Sequence, residues 1–267
     1  MSLAAPLLRR VYTVTGAASG IGQCTAVRLL QLGAAGVAIS DVNEAGLEQT
    51  RKLCEAAAAA RGSSVPAPQI TVTRVDVSKR TQVESWVESA VKAFGGRLDG
   101  AANVAGIPGG HPDIRCETIK QEEWDRTLGI NLTGVLHSMR AQLPHLTRPG
   151  GSIVNVASVA GLRGLPHNAA YSTSKFGVIG LTESVAGEYG REGIRINAVL
   201  PGPIDTPVLH DGEAKGLFTS DAAGGATFLN RVGTAEEVAK VLCFLMTDDA
   251  SYVTGANWTV DGGYSAS

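Results

Sequence analysis

The sequence predicts a single α/β domain, a doubly wound parallel sheet with helices on both faces. Three observations carry that prediction. Short, continuous apolar runs alternate with helix-length segments from the first residues to the last. Strands that are apolar on both sides are what a parallel sheet covered on both faces requires. A glycine-rich turn, Gly16 to Gly22, joins the first apolar run to the first helical segment, and no repeat or long linker divides the 267 residues. One large α/β domain can hold that length.

The elements follow in order. Val11 to Thr15 is a β-branched run. Gly20 to Leu32 places Ile21, Thr25, Leu29 and Leu32 on one helical face, with Gly33 as its stop. Val37 to Ser40 is a second buried strand, followed by Asp41 and a polar helix to about Arg61. Gly62 to Gln69, with its turn residues, is a surface loop rather than a domain boundary. Ile70 to Val75 makes a third strand and Thr81 to Phe94 an amphipathic helix. Leu98 to Val104 and Gly151 to Ala157 are two more strands, separated by one long helical stretch from Glu122 to about Leu146. Tyr171 to Tyr189 is helical, Ile194 to Leu200 a strand, Ala235 to Met246 a helix and Asn257 to Val260 the last strand. Residues 1–267 form one domain, in which 207–228, rich in Gly, Ala and Asp, could be a mobile substrate lid.

Composition narrows the function. With 44% apolar and 18% charged residues the chain can build a sizeable core, which excludes disorder as its main state. Lys and Arg number 23 against 25 Asp and Glu, a net charge of −2, with no block of one sign. That leaves no electrostatic footprint for nucleic acid or an anionic membrane. No apolar run approaches the roughly 20 residues that span a bilayer. The N-terminal stretch lacks a basic region followed by a full apolar segment and a cleavage site, so a cytoplasmic protein is expected. Cys24, Cys54, Cys116 and Cys243 lie too far apart for a zinc knuckle and are expected to be scattered buried thiols. No cluster of His, Cys or carboxylates suggests a metal.

The turn Thr15 to Gly22 reads TGAASGIG. Glycine is needed where a chain turns sharply and where a pyrophosphate approaches the backbone at a helix N-terminus. The Gly-Lys-Ser/Thr ending of a triphosphate loop is missing, so a dinucleotide site is the favoured reading over a purely steric turn. Asp41, about 20 residues on at the end of the second strand, can accept hydrogen bonds from adenosine ribose hydroxyls and repel a 2′-phosphate. That favours NAD over NADP; a helix cap by the same residue is compatible with it. Asp76 and Val77 could hold the adenine edge, or Asp76 could cap the next helix.

Tyr171 and Lys175 stand four apart on one helical face. A free tyrosine titrates near pH 10, too high for proton transfer at neutrality. A neighbouring ammonium, with the positive ring of an oxidised nicotinamide, would lower that value. Ser158 ends a buried run where α/β proteins bind ligands, and its hydroxyl could hold a substrate oxygen beside Tyr171.

At this point the chain resembles the short-chain dehydrogenase/reductase family. The matching pieces are TGAASGIG, Asp76-Val77, NVAG at Asn103 to Gly106, Asn131 in INLTG, Ser158 in NVASVAG, YSTSK, PGPIDT at Pro201 to Thr206 and TGANWTVDGG. They span essentially the entire chain in order. Val104 stands where the family often has a second asparagine. The resemblance implies a Rossmann fold and reversible hydride transfer between a secondary alcohol and the cofactor. Tyr171 would be the general acid/base, Lys175 would lower its pKa and hold the nicotinamide ribose, and Ser158 would position the substrate oxygen. Asn131 would anchor a water joining Lys175 to a proton relay; an internal helix hydrogen bond is its other reading. Cofactor contacts would come from Gly16, Ser19, Gly20, Ile21, Gly22, Asp41, Val42, Asp76, Val77, Asn103, Ala105 and Gly106. Further contacts would come from Tyr171, Lys175, Pro201, Gly202, Ile204 and Thr206. Asn103, Ala105 and Gly106 are expected along the adenosine ribose and the cofactor's middle.

Substrate specificity is expected from Ile107 to Ile114, Val159 to His167 and Pro207 to Phe228. Asp211, Glu213, Lys215 and Asp221 read as a solvated face of the lid. His111 and His167 fall near the expected pocket mouth but read as surface or packing histidines. Two alternatives stand beside an NAD-linked dehydrogenase: an NADPH-dependent carbonyl reductase and a non-catalytic NAD-binding module. The resemblance also implies a homotetramer, or a homodimer, built partly from Glu122 to Leu146 and Tyr171 to Tyr189.

Overall fold

In the computed structural model, which describes residues 7, 9–61 and 67–266, the apolar runs become strands. They are β1 (Val11–Thr15), β2 (Gly36–Asp41), β3 (Gln69–Arg74), β4 (Gly100–Asn103), β5 (Ser152–Val156) and β6 (Arg195–Pro201). The short β7 (Ile204–Asp205) and β8 (Gly233–Thr234) follow, then β9 (Asn257–Val260). Seven strands form one parallel sheet in the order β3-β2-β1-β4-β5-β6-β9, while β7 and β8 pair apart from it. From β1 the chain works outward to β3, then returns to lay β4 beside β1. Strand order therefore reverses between β1 and β4, with Thr15 opposite Asn103. A crevice at the C-terminal ends of such strands is where open α/β sheets bind ligands.

The central strands feed both faces. Val154 and Val199 pack with α1 (Gly20–Gln31), α2 (Glu44–Ala59) and α9 (Ala235–Leu245), through Leu29, Leu47 and Leu242. Their neighbours Ile153 and Ala198 pack on the other side with α3 (Arg80–Ala93), α5 (Gly134–Gln142) and α6 (Ala169–Tyr189), through Trp86, Met139 and Val178. Alternation with period two between two buried faces is why these strands read as largely apolar runs. The remaining helices are α4 (Gln121–Leu128), α7 (Pro207–Ala214) and α8 (Ser220–Gly225).

Three expectations need correction. The helix anticipated from Glu122 to Leu146 is broken: α4 ends at Leu128, Gly129–Thr133 forms a π turn, and α5 gives way to a 3₁₀ turn at Leu143–His145. Gly129, Ile130, Asn131 and Thr133 favour an α-helix weakly, and Pro144 cannot continue one. The strand expected over Leu98 to Val104 is only β4: Leu98 makes an isolated bridge to Leu146, and past Asn103 the Val104 amide bonds the Thr15 hydroxyl at 3.0 Å instead of a neighbouring strand. Cys116 is exposed, whereas Cys54 and Cys243 are buried and Cys24 half-buried. Residues 62–66 of the expected loop lie outside the described residues. Among the described residues no helix is long and apolar enough to cross a membrane.

Candidate active site

The β1–α1 turn is glycine by steric necessity. Gly16 has φ +66°, and a Cβ there would lie 2.7 Å from the Ala105 backbone. At Gly22 a Cβ would overlap the carbonyl of Gly16. The bare turn brings α1 in with Ser19 at its N-cap making no side-chain cap, and among the described residues no side chain bonds the first-turn amides. Those free N–H groups are suited to an anion. Asp41 ties the turn to β2: one carboxylate oxygen accepts from the Ala18 amide at 3.2 Å and the other from the Asn43 amide at 3.0 Å. The helix cap that Asp41 could have supplied is made by Asn43, which accepts from the Gly46 amide at 3.1 Å. Asp76 likewise caps no helix; its carboxylate accepts from the amide and hydroxyl of Ser78, at 2.9 and 2.7 Å.

A cleft of about 750 Å³ runs from Asp41 and the exposed Val42 across the ends of β1 and β4 to α7 and α8. Every residue anticipated for cofactor contact lines it except Asn103. That expectation is corrected for the Asn103 side chain, which is buried beneath the cleft. It donates to Asn155 Oδ1 at 2.9 Å and Gln142 Oε1 at 3.2 Å, and accepts from Gln142 Nε2 at 2.9 Å. Its amide is spent on holding β4 to β5 and α5.

Ser158, just past β5, accepts from the Ala160 amide at 3.1 Å. Tyr171 and Lys175 reach the same cleft from α6, with the ammonium 5.6 Å from the centre of the phenol ring. Lys175 is 4% exposed and donates to the Val156 carbonyl at 3.0 Å. Burial lowers its pKa to about 8. Burial also raises the Tyr171 phenol above its ordinary range, with the Ser158 hydroxyl acting in the opposite sense. In this arrangement burial, not the lysine charge, governs the phenol.

Asn131 is fully buried in the π turn and does not line the cleft. Its Oδ1 accepts from the Ile107 amide at 2.8 Å, and its Nδ2 donates to the Ile107 carbonyl at 3.0 Å and to Ser174 Oγ at 3.3 Å. The amide thus clamps a loop rather than bonding within its helix. A Cβ added at Gly106 would stand 3.3 Å from Asn131 Oδ1 and 3.6 Å from Lys175 Nζ, so the two side chains converge under that glycine.

The far half of the cleft is mostly apolar, with Pro108, Val159, Leu165, Leu209 and Phe218 among its walls. Of the charged lid residues expected at the surface, Asp211 also lines the cleft, half-exposed and paired with Lys215 at 2.6 Å. His111 and His167 do not line it; His167 Nδ1 lies 3.0 Å from the Ile114 carbonyl. Among the lining residues outside the expected segments are Asn168 and Tyr264. Tyr264 is turned back by Asp261, whose carboxylate accepts from the Gly263 amide at 3.0 Å and the Ser265 amide at 2.9 Å. The Arg163 guanidinium lies 4.6 Å over the Tyr264 ring. The Asp-Gly-Gly turn after the last strand is the only sequence signal for it.

Fold and cleft together define a doubly wound protein with a ligand crevice at its switch point. A family model described as enoyl-(acyl carrier protein) reductase matches residues 16–265. The short-chain dehydrogenase/reductase ABA4 of Pyricularia oryzae is 42% identical over 261 residues, 97% of this chain and 93% of that protein. The cyclohexanol dehydrogenase of Acinetobacter sp. is 39% identical over 258 residues, covering 96% of this chain and 95% of its own. Among solved structures, levodione reductase superposes with a TM-score of 0.87 at 38% identity, over 98% of this chain and 99% of that one. The chain belongs to the short-chain dehydrogenase/reductase family, a family of oxidoreductases that use nicotinamide cofactors.

Proposed function

We propose that this chain is an NAD-dependent dehydrogenase acting reversibly on a neutral alicyclic secondary alcohol or ketone, with Tyr171 as general acid/base. The observation that carries the proposal is the convergence of Ser158, Tyr171 and Lys175 on an apolar cleft continuous with the glycine turn. The residues fit a dinucleotide. A Cβ at Gly16 or Gly22 would fill the cradle, unbonded α1 amides suit a pyrophosphate, and the Asp41 carboxylate suits ribose hydroxyls while opposing a 2′-phosphate. That carboxylate is what disfavours an NADPH-dependent reductase.

A bound nicotinamide would supply the hydride chemistry at the substrate carbon. Ser158 holds the substrate oxygen toward the phenol, and Tyr171 takes the hydroxyl proton in oxidation and returns it in reduction. Lys175 holds the nicotinamide ribose and carries the proton onward, and Asn131 fixes the Ile107 loop beside it. The apolar far wall suits an uncharged ring, and relatives named cyclohexanol dehydrogenase and levodione reductase bear names of that substrate class. Assembly as a homotetramer or homodimer in the cytoplasm belongs to the same proposal; sedimentation as a monomer at micromolar concentration overturns the assembly.

The test is Tyr171→Phe, assayed with NAD and a panel of cyclic alcohols and ketones. Turnover should fall by orders of magnitude while NADH still binds. Retained turnover ends the mechanism, and NADH binding without turnover by the unaltered protein favours the non-catalytic module.

A further inference from the structure

The substrate half of the cleft contains a buried polar atom that the described residues leave unsatisfied. Asn168 stands at the N-cap of α6, one turn ahead of Tyr171, yet its side chain makes no cap hydrogen bond. Its Oδ1 is buried and has no hydrogen-bond partner among the described residues. The other such oxygen lining the cleft, Asp211 Oδ2, faces Lys215 Nζ at 2.6 Å. Buried acceptors are almost always bonded, and one left unmade in a ligand cleft requires an explanation.

The surroundings supply one. Asn168 lines both the main cleft and a side chamber of about 120 Å³, which share the wall Ile107 to Gly109. The Gly109–Gly110 backbone passes so near that a Cβ at Gly109 would lie 2.9 Å from Asn168 Oδ1 and 2.8 Å from Tyr171 Cβ. This glycine pair covers the orphan oxygen and the base of the tyrosine together, so a substrate hydroxyl reaches Oδ1 by displacing this side-chain-free backbone segment. On the main-cleft side the nearby walls are apolar, Ile107, Pro108 and Leu165, while the side chamber carries Arg126, Thr127, His167 and Lys215.

We propose that Asn168 is a specificity-determining residue whose Oδ1 accepts a hydrogen bond from a second hydroxyl of the substrate, so that the preferred substrates are alicyclic diols or hydroxyketones rather than simple alcohols. The proposal rests on the reading of the site as an alcohol dehydrogenase. A site built to bond a hydroxyl rejects the analogue that lacks it, because its own polar group is then left unpaired.

The experiment compares kcat/KM for trans-1,4-cyclohexanediol and cyclohexanol with NAD, in the unaltered protein and in Asn168→Leu, with Asn168→Ala as a second variant. The unaltered protein should prefer the diol by about tenfold or more, and the variants should bring the ratio close to one. A ratio near one in the unaltered protein, or a preference that survives both substitutions, overturns the assignment. A second measurement reads the contact without turnover: the diol should raise the Tm of NADH-bound Tyr171→Phe, and adding Asn168→Leu should abolish the rise. If neither alcohol is oxidised, the dehydrogenase reading fails while the Tm measurement still decides the role of Asn168.

Discussion

The ammonium of Lys175 donates to the main-chain carbonyl of Val156 at 3.0 Å, deep at the C-terminal end of β5. Among the described residues no carboxylate forms an ion pair with it, and burial brings its pKa down from 10.5 to about 8. A buried cation held by one carbonyl is costly, here by roughly 3 kcal/mol at neutral pH. Lys175→Met should abolish turnover yet raise Tm by a few degrees at pH 7, a gain offset in part by the lost hydrogen bond. The sign with pH follows from the folded value lying below the unfolded one. As pH rises from about 8 to 10.5 the folded chain has released the proton and the unfolded chain has not, so the unaltered protein gains stability across that window. The Tm advantage of the variant should therefore shrink by pH 10. Thermal melts at the two pH values check it.

The phenol of Tyr171 is raised by burial and lowered by the Ser158 hydroxyl. Alcohol oxidation needs a proton acceptor, so kcat/KM should climb toward alkaline pH. Removing the hydroxyl in Ser158→Ala removes an influence that favours the phenolate. The climb should move to higher pH, and the rate at pH 7 should fall about a hundredfold. A full pH–rate profile of both proteins tests this; an unmoved limb would mean that the serine does not act on the phenol.

What could be read from the sequence was what local sterics and helical spacing dictate. Gly16 and Gly22 are forced by a turn that closes on itself, and Tyr171 and Lys175 share a face because they are four apart. Asn103 could not be read, because its partners lie 39 and 52 residues away and are fixed only by strand order. The break at Gly129–Thr133 combines weak helix formers with tertiary packing: a Cβ at Gly134 would lie 2.7 Å from Val77 Cγ2, so α5 is placed by the segment after β3 as much as by its own pattern. Tyr264 reaches the cleft through a turn beyond the last strand, where no periodicity guides a reader.

Asp41 serves two ends. Its carboxylate holds the amides of Ala18 and Asn43, and it lines the cleft where an adenosine ribose would lie. Asp41→Ala should weaken NADH binding about tenfold, the scale of a lost charged hydrogen bond, and should narrow or reverse the preference over NADPH. The Tm should drop as well, since two amides lose their acceptor. Fluorescence titration with each nucleotide decides the matter; tighter NADPH binding by the unaltered protein would overturn the assignment of NAD.

Asn131 grips Ile107 at both polar backbone groups, accepting from its amide and donating to its carbonyl. Only an amide side chain of that length can do both. Asn131→Asp keeps the shape and the acceptor but turns the donor into a second anionic oxygen against the Ile107 carbonyl and Ser174 Oγ. The introduced carboxyl, buried and facing an acceptor, should have its pKa pushed above the ordinary 3.9. Between that value and its raised one the folded chain holds a proton that the unfolded chain has lost, so stability falls as pH rises through the window. The variant should melt closer to the unaltered protein at pH 5 than at pH 8, where the deficit should be about 2 kcal/mol or more. Asn131→Ala, which leaves no charge to titrate, should show a smaller deficit that is the same at both pH values. If the two variants melt alike at every pH, the amide does not clamp the loop, and the link from the π turn to the Lys175 side of the cleft is lost with it.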